Sequence, residues 1–254
     1  MDIEKLAKNI LESEFGYQVK KISEGDKKSP DFFVNGNGER FLIELKSKFD
    51  DEGTVRNIER TLAQGEVAEF SDITGRKNAI SKIICEASEQ LASIDIEVDY
   101  RMIWLMAVNR NQKMKKDQFK ASLYGTATIC DLDLLQTVSC YYFGFNDFYR
   151  TKGVIDAALI STMEGGEFCL NTHSSPNYPK IKESFLAQKF GSACRDPFKE
   201  EKEKNTVIVD ADIDRRDKQL VLKYLRAKYN RKKLQDMHGH YYSSIITVSK
   251  NELV

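Results

Sequence analysis

Hydrophobic and polar positions alternate in two different rhythms along the first third of the chain. Between residues 2 and 15, Ile3, Leu6, Ala7, Ile10, Leu11 and Phe15 recur at three- and four-residue steps with charged residues between them. That spacing predicts an amphipathic helix, with Asp2 as its cap and Gly16 as its stop. Tyr17 to Ile22 follows as a short strand. The rhythm then changes to a period of two. Pro30-Asp31-Phe32-Phe33-Val34 and Phe41-Leu42-Ile43-Glu44-Leu45-Lys46 flank Asn35-Gly36-Asn37-Gly38, whose residues tolerate positive φ. This pattern predicts a β-hairpin.

Residues 47–75 are polar and lack a strand pattern, so a partly helical insertion is expected there. A second amphipathic helix is expected from Arg76 to Ser93, with Ala79, Ile80, Ile83, Ile84, Ala87 and Leu91 on its apolar face. The run Met102 to Val108 is continuously apolar, as suits a strand buried on both faces of a central sheet. Further on, the pattern predicts a helix over 113–123, strands near 137–145 and 154–161, and a turn at Gly165-Gly166. It also predicts a charged linker or helix end at 199–204, a strand at 207–209, a basic helix over 215–233 and a last strand over 241–248. Residues 167–198 give no clear pattern. Together these elements define an α/β protein with a central mixed sheet flanked by helices.

Composition narrows the class. The chain has 254 residues, 41% hydrophobic and 31% charged, with zero formal net charge. A chain of that length builds a core without staples. No apolar stretch reaches the roughly 18 residues of a membrane helix. The first residues lack the layout of a signal peptide, so a cytoplasmic protein is expected. Its cysteines, Cys85, Cys130, Cys140, Cys169 and Cys194, are odd in number and never in a CxxC spacing. Reduced buried thiols are therefore expected rather than a disulfide framework or a zinc ribbon.

The hairpin is where the chemistry concentrates. On a strand, residues two apart share a face, so Glu44 and Lys46 point the same way. Antiparallel pairing around the turn sets Asp31 opposite Ile43 or Glu44. Two carboxylates and a lysine then meet at one end of the sheet. Carboxylates are hard oxygen ligands for Mg²⁺ or Mn²⁺, and the carbonyl of Leu45 is a further oxygen. A lysine beside them can orient an attacking water or stabilise charge on a phosphate. The same residues on a surface strand would be a solvated cross-strand charge pair.

Pro30-Asp31, with Glu44-Leu45-Lys46 thirteen positions on, resembles the PD-(D/E)XK nuclease signature. The helix before the hairpin, and the helix and apolar strand after it, are similar to that family's αβββαβ core. The resemblance covers about residues 1–110. It implies a restriction-endonuclease-like fold and Mg²⁺-dependent cleavage of DNA, less often RNA. It assigns Asp31, Glu44 and Lys46 as catalytic, with Asp31, Glu44 and the Leu45 carbonyl as metal ligands. An acidic residue on the first helix completes the site in many members. Glu4 matches that placement best, with Glu12 and Glu14 as substitutes. Gln90 resembles a polar position that some branches use near the active site. Residues 111–254 would extend the same domain or recognise substrate.

Several features lie outside this motif. From 215 to 233, nine cations face Asp217 alone. Arg215, Arg216, Arg226, Arg231 and Lys232 are the candidate phosphate contacts, with Tyr224 and Tyr229 available for stacking. A solvated helix face is the other use of such a run. Lys113, Lys115, Lys116 and Lys120 form a smaller patch. His238 and His240 share a face on a strand but lack a third ligand nearby. The aromatic cluster Tyr141, Tyr142, Phe143, Phe145, Phe148 and Tyr149 suits a core or a homo-oligomer interface. The alternative to a nuclease is a non-catalytic nucleic-acid-binding or protein-interaction module on the same fold.

Overall fold

In the computed structural model, residues 2–23, 28–108, 110–174, 176–237 and 242–247 are described. The amphipathic stretch at the start folds as α1 (Ile3–Ser13), capped by the Asp2 carboxylate on the backbone N–H of Lys5. Gly16, at φ +68°, turns the chain into β1 (Gln18–Lys21). The hairpin is β2 (Phe32–Gly36) and β3 (Glu39–Lys48). Its tight turn places Asn37 and Gly38 at positive φ, as Asn-Gly chemistry requires.

The insertion contains α2 (Glu52–Ala63) and β4 (Ala68–Ile73), a strand that its polar composition conceals. Then follow α3 (Asn78–Ala92), β5 (Tyr100–Ala107), α4 (Gln112–Tyr124), β6 (Ala127–Asp131), β7 (Gln136–Tyr141) and α5 (Asp147–Arg150). Next are β8 (Ala157–Thr162), β9 (Gly165–Leu170), α6 (Tyr178–Ile181), α7 (Phe185–Phe190) and β10 (Cys194–Arg195). The last described elements are α8 (Pro197–Glu203), β11 (Thr206–Ile208), α9 (Lys218–Lys228), β12 (Leu234–Asp236) and β13 (Tyr242–Thr247).

A seven-stranded mixed sheet runs in the order β1-β2-β3-β5-β8-β9-β10. The β1-β2-β3 meander is antiparallel, and β3, β5 and β8 are parallel neighbours. The sheet does not stop near residue 110, because β8, β9 and β10 continue it. A second sheet, β11-β7-β6-β12, packs with α9 onto the α3 and α4 side. The ribbon β13-β4 joins the C-terminal strand to the insertion.

Alternation along the central strands separates two cores. Phe41, Ile43 and Leu45 of β3 lie with Met102, Trp104 and the α1 residues Ala7 and Leu11. Leu42 of β3 lies with Ile103 and Leu105 and with Ile80, Ile84, Ala87 and Leu91 of α3. Being covered on both faces, β5 carries no alternation in its sequence. The even-numbered positions of β3 therefore face α3, which sets the side on which Glu44 and Lys46 emerge.

Three expectations are corrected here. Gly165-Gly166 is not the turn but the start of β9; Met163 and Glu164 make the turn. The basic helix is shorter than 215–233, because Asp217 caps α9 on the N–H groups of Gln219 and Leu220 and starts it at Lys218. The strand expected near 137–145 stops at Tyr141, where Tyr142 takes positive φ.

Candidate active site

The register Phe32↔Ile43 places Asp31, one residue before β2, opposite Glu44. The backbone N–H of Leu45 donates to Oδ2 of Asp31 at 2.7 Å. Glu44 is 1% exposed. On the same face, Lys46 Nζ lies 2.5 Å from Oε1 of Glu44. Lys46 also donates to Oε1 of Gln90 at 2.7 Å, and Gln90 Nε2 donates to the carbonyl of Ser29 at 3.2 Å. Gln90, near the C-terminal end of α3, thus ties Lys46 to the loop that carries Asp31. Glu4 pairs with Lys21 of β1 and is near enough for its charge to raise the Asp31 carboxyl.

The electrostatics follow from crowding acids in a buried place. Burial pushes the Glu44 carboxyl up to about 7, and the charge of Asp31 adds to the effect while Lys46 opposes it. Burial also raises Asp31, against the Leu45 hydrogen bond and the Lys46 charge. Oε2 of Glu44 is buried and has no hydrogen-bond partner. An unsatisfied buried carboxylate oxygen is costly, and a cation, or a proton shared with Asp31, would satisfy it.

Among the described residues, no three His, Cys, Asp or Glu side chains converge as a metal-holding group. Asp31 and Glu44 are instead a pair. That donor set suits Mg²⁺, which keeps several waters and binds through one or two carboxylates. The orphaned oxygen of Glu44 and the two hard acids therefore fit such an ion.

The basic segment has other partners. Arg215 is 8% exposed. Its guanidinium donates to the carbonyls of Tyr142, Val209, Ala211 and Ile213 at 3.0–3.3 Å. Arg216 binds Asp214, Arg226 donates to the Leu234 carbonyl and Arg231 binds the buried Asp131. The backbone N–H of Lys232 donates to Asp133. Arg215, Arg226 and Arg231 are thus fastened to the second sheet and its flanks, while Arg216 and Lys232 are exposed at the surface. Tyr224 and Tyr229 likewise donate to Asp210 and Glu201. In the smaller patch, Lys115 pairs with Asp50, and Lys116 and Lys120 pair with Glu167.

His238 and His240 lie outside the described residues. The aromatic cluster divides: Tyr141, Tyr142, Phe143 and Phe148 are core, while Phe145 is 57% exposed. The five cysteines are unpaired. Among the described residues, no helix is long and apolar enough to cross a membrane. No family model, no curated protein and no solved structure matches the chain.

Sequence reasoning missed Ser29. It enters through its backbone carbonyl, which no side-chain pattern reports.

Proposed function

We propose that this chain is a metal-dependent nuclease of restriction-endonuclease-like fold that hydrolyses phosphodiester bonds in DNA. The observation that carries the reading is the buried Glu44 carboxyl. Its Oε2 has no partner, it lies opposite Asp31, and Lys46 is held between it and Gln90. In this reading the carboxylates of Asp31 and Glu44, with the Leu45 carbonyl, would hold Mg²⁺ or Mn²⁺, and Glu4, paired with Lys21, would add negative charge nearby. When bound, the ion supplies Lewis acidity at the scissile phosphate and acidifies water.

The protein's own groups do the positioning. Asp31 is anchored by the strand that carries Glu44, so the two carboxylates keep their spacing. Lys46 sits where its ammonium can orient the attacking water or meet charge developing on the phosphate. Gln90 holds Lys46 in that place. Asp31 and Lys46 are partly exposed at the hairpin's end, while Glu44 is buried beside them.

The test is cleavage of linear, circular and single-stranded DNA, and of RNA, with Mg²⁺, Mn²⁺ or EDTA. Asp31→Asn, Glu44→Gln and Lys46→Ala are measured beside the wild type. The expected result is metal-dependent cutting of DNA that each substitution lowers by roughly a hundredfold or more. Three folded variants that cut as well as the wild type would overturn the assignment. Metal should also raise the wild-type melting temperature by roughly 5 °C or more at a hundredfold excess over Kd, and should not do so in Glu44→Gln.

A further inference from the structure

Outside the candidate active site, a cavity of about 570 Å³ opens beyond the N-terminal end of α3. Its volume lies within the roughly 300–1,000 Å³ of small-molecule sites. Four arginines line it, Arg76, Arg150, Arg215 and Arg216, against the carboxylates of Asp147 and Asp214. The wall therefore has a surplus of positive charge.

The two acids are already engaged. Asp147 is 1% exposed and accepts from the Ser81 hydroxyl at 2.7 Å. Asp214 holds Arg216 at 2.8 Å. Arg215 is occupied by backbone carbonyls. Arg76 and Arg150 both face the Asp147 charge, so this pair keeps one net positive charge for an anion. Arg76 Nη1 donates to Asn78, but its Nε is buried without a hydrogen-bond partner. Arg150 is exposed.

The other component of the cavity is aromatic. Phe145 is 57% exposed, and the Arg76 guanidinium lies 5.9 Å from its ring centroid. An exposed phenylalanine in a sequence run that is otherwise buried suggests a surface meant to be covered. Its backbone is held firmly. Gly125, at φ +55°, packs so closely that a Cβ there would meet the Phe145 carbonyl at 2.6 Å and the Gly144 carbonyl at 2.7 Å.

We propose that this cavity binds a nucleoside phosphate, with Arg76 and Arg150 on the phosphate and Phe145 against the base. Guanidinium groups match phosphate oxygens in fork geometry, and an exposed aromatic ring stacks any base. The cavity is separate from the candidate active site. Asn78 and Gln90 mark the two ends of α3, about 18 Å apart at 1.5 Å per residue. The ligand is either a free nucleotide or one unit of a nucleic-acid strand, and its recognition does not depend on cleavage.

The experiment is performed on the full chain in EDTA. Calorimetry measures binding of dAMP and of inorganic phosphate. Anisotropy measures a short fluorescein-labelled single strand, with dAMP as competitor. Phe145→Ala and Arg150→Ala, both at exposed positions, are compared with Arg56→Ala, an exposed arginine of α2. The expected result is binding of dAMP or the strand that the two cavity variants each weaken about tenfold, with Arg56→Ala unchanged. Displacement of the strand by dAMP assigns one cavity to both sources. Binding of dAMP without the strand identifies a free nucleotide as the ligand. Phosphate bound as tightly as dAMP, no binding of dAMP or strand, or equal binding by all variants would each overturn the proposal.

Discussion

The N–H of Leu45 and the carboxylate of Asp31 are joined by a 2.7 Å hydrogen bond that crosses from β3 to the residue preceding β2. It locks the first acid of the hairpin to the backbone between the second acid and the lysine. The spacing of the three side chains is therefore set by strand pairing together with this bond, which fixes Asp31 at the end of its loop.

Asp31→Asn and Asp31→Ala should separate chemistry from anchoring. Asparagine keeps an oxygen for the Leu45 N–H, so its melting temperature should stay near the wild type while cleavage is lost. Alanine removes that hydrogen bond as well, costing about 1 kcal/mol, or roughly 3 °C. Thermal melts beside cleavage assays check both. An asparagine variant that cuts normally would refute a role for the charge.

Gln90 touches Lys46 but not the two carboxylates among its hydrogen bonds, so it is a positioning residue. Gln90→Ala should lower kcat about tenfold with little change in KM, because a freed lysine samples other rotamers. Gln90→Glu keeps an acceptor for Lys46 and should recover much of the loss. A change confined to KM would place Gln90 in substrate binding instead.

Arg215 should matter for stability and not for nucleic-acid affinity. Its buried guanidinium serves four carbonyls, so Arg215→Ala leaves several of them without a donor. The expected cost is about 3 kcal/mol, a melting drop of roughly 6–12 °C. The neighbouring Arg216→Ala should stay within about 0.5 kcal/mol, since its pair with Asp214 is on the surface. Equal melting of the two variants would contradict this assignment.

His173 predicts a particular acid sensitivity. Burial, then the charges of Arg215 and Lys152, push its imidazole down to about 4, and Nε2 has no hydrogen-bond partner. The unfolded chain binds that proton near pH 6.5, well before the folded one does. Stability should therefore be complete above pH 6.5 and fall as pH drops towards 4, by up to about 3 kcal/mol. Denaturant titrations at stepped pH check the slope, and His173→Asn should flatten it. An unchanged slope in that variant would assign the sensitivity elsewhere.

What could be read from the chain alone was local. The period-two runs around Asn37-Gly38 determined the hairpin and its register to within one residue, because a tight turn leaves few ways to pair the strands beside it. Alternation set Glu44 and Lys46 on one face, and the sequence left Asp31 opposite Ile43 or Glu44; the observed pairing selects Glu44. The three-to-four spacing of apolar residues likewise determined α1 and α3, and the unbroken run in β5 announced burial on both faces.

Tertiary structure decided what depends on contacts far apart in sequence. The resemblance could nominate Gln90, but only the packing of α3 on the even face of β3 puts its amide between Lys46 and Ser29. Nothing local distinguishes Arg215, turned inward to backbone carbonyls, from Arg216 beside it on the surface. Strand β4 is polar and becomes a strand because β13, from the other end of the chain, pairs with it. Phe145 shares its sequence neighbourhood with buried aromatics, yet it alone among the six is left strongly exposed, at the mouth of an arginine-lined cavity. Side-chain period and turn chemistry act over a few residues, so they appear in the sequence. Burial and the partners of a charged group are set by the whole fold, so they do not.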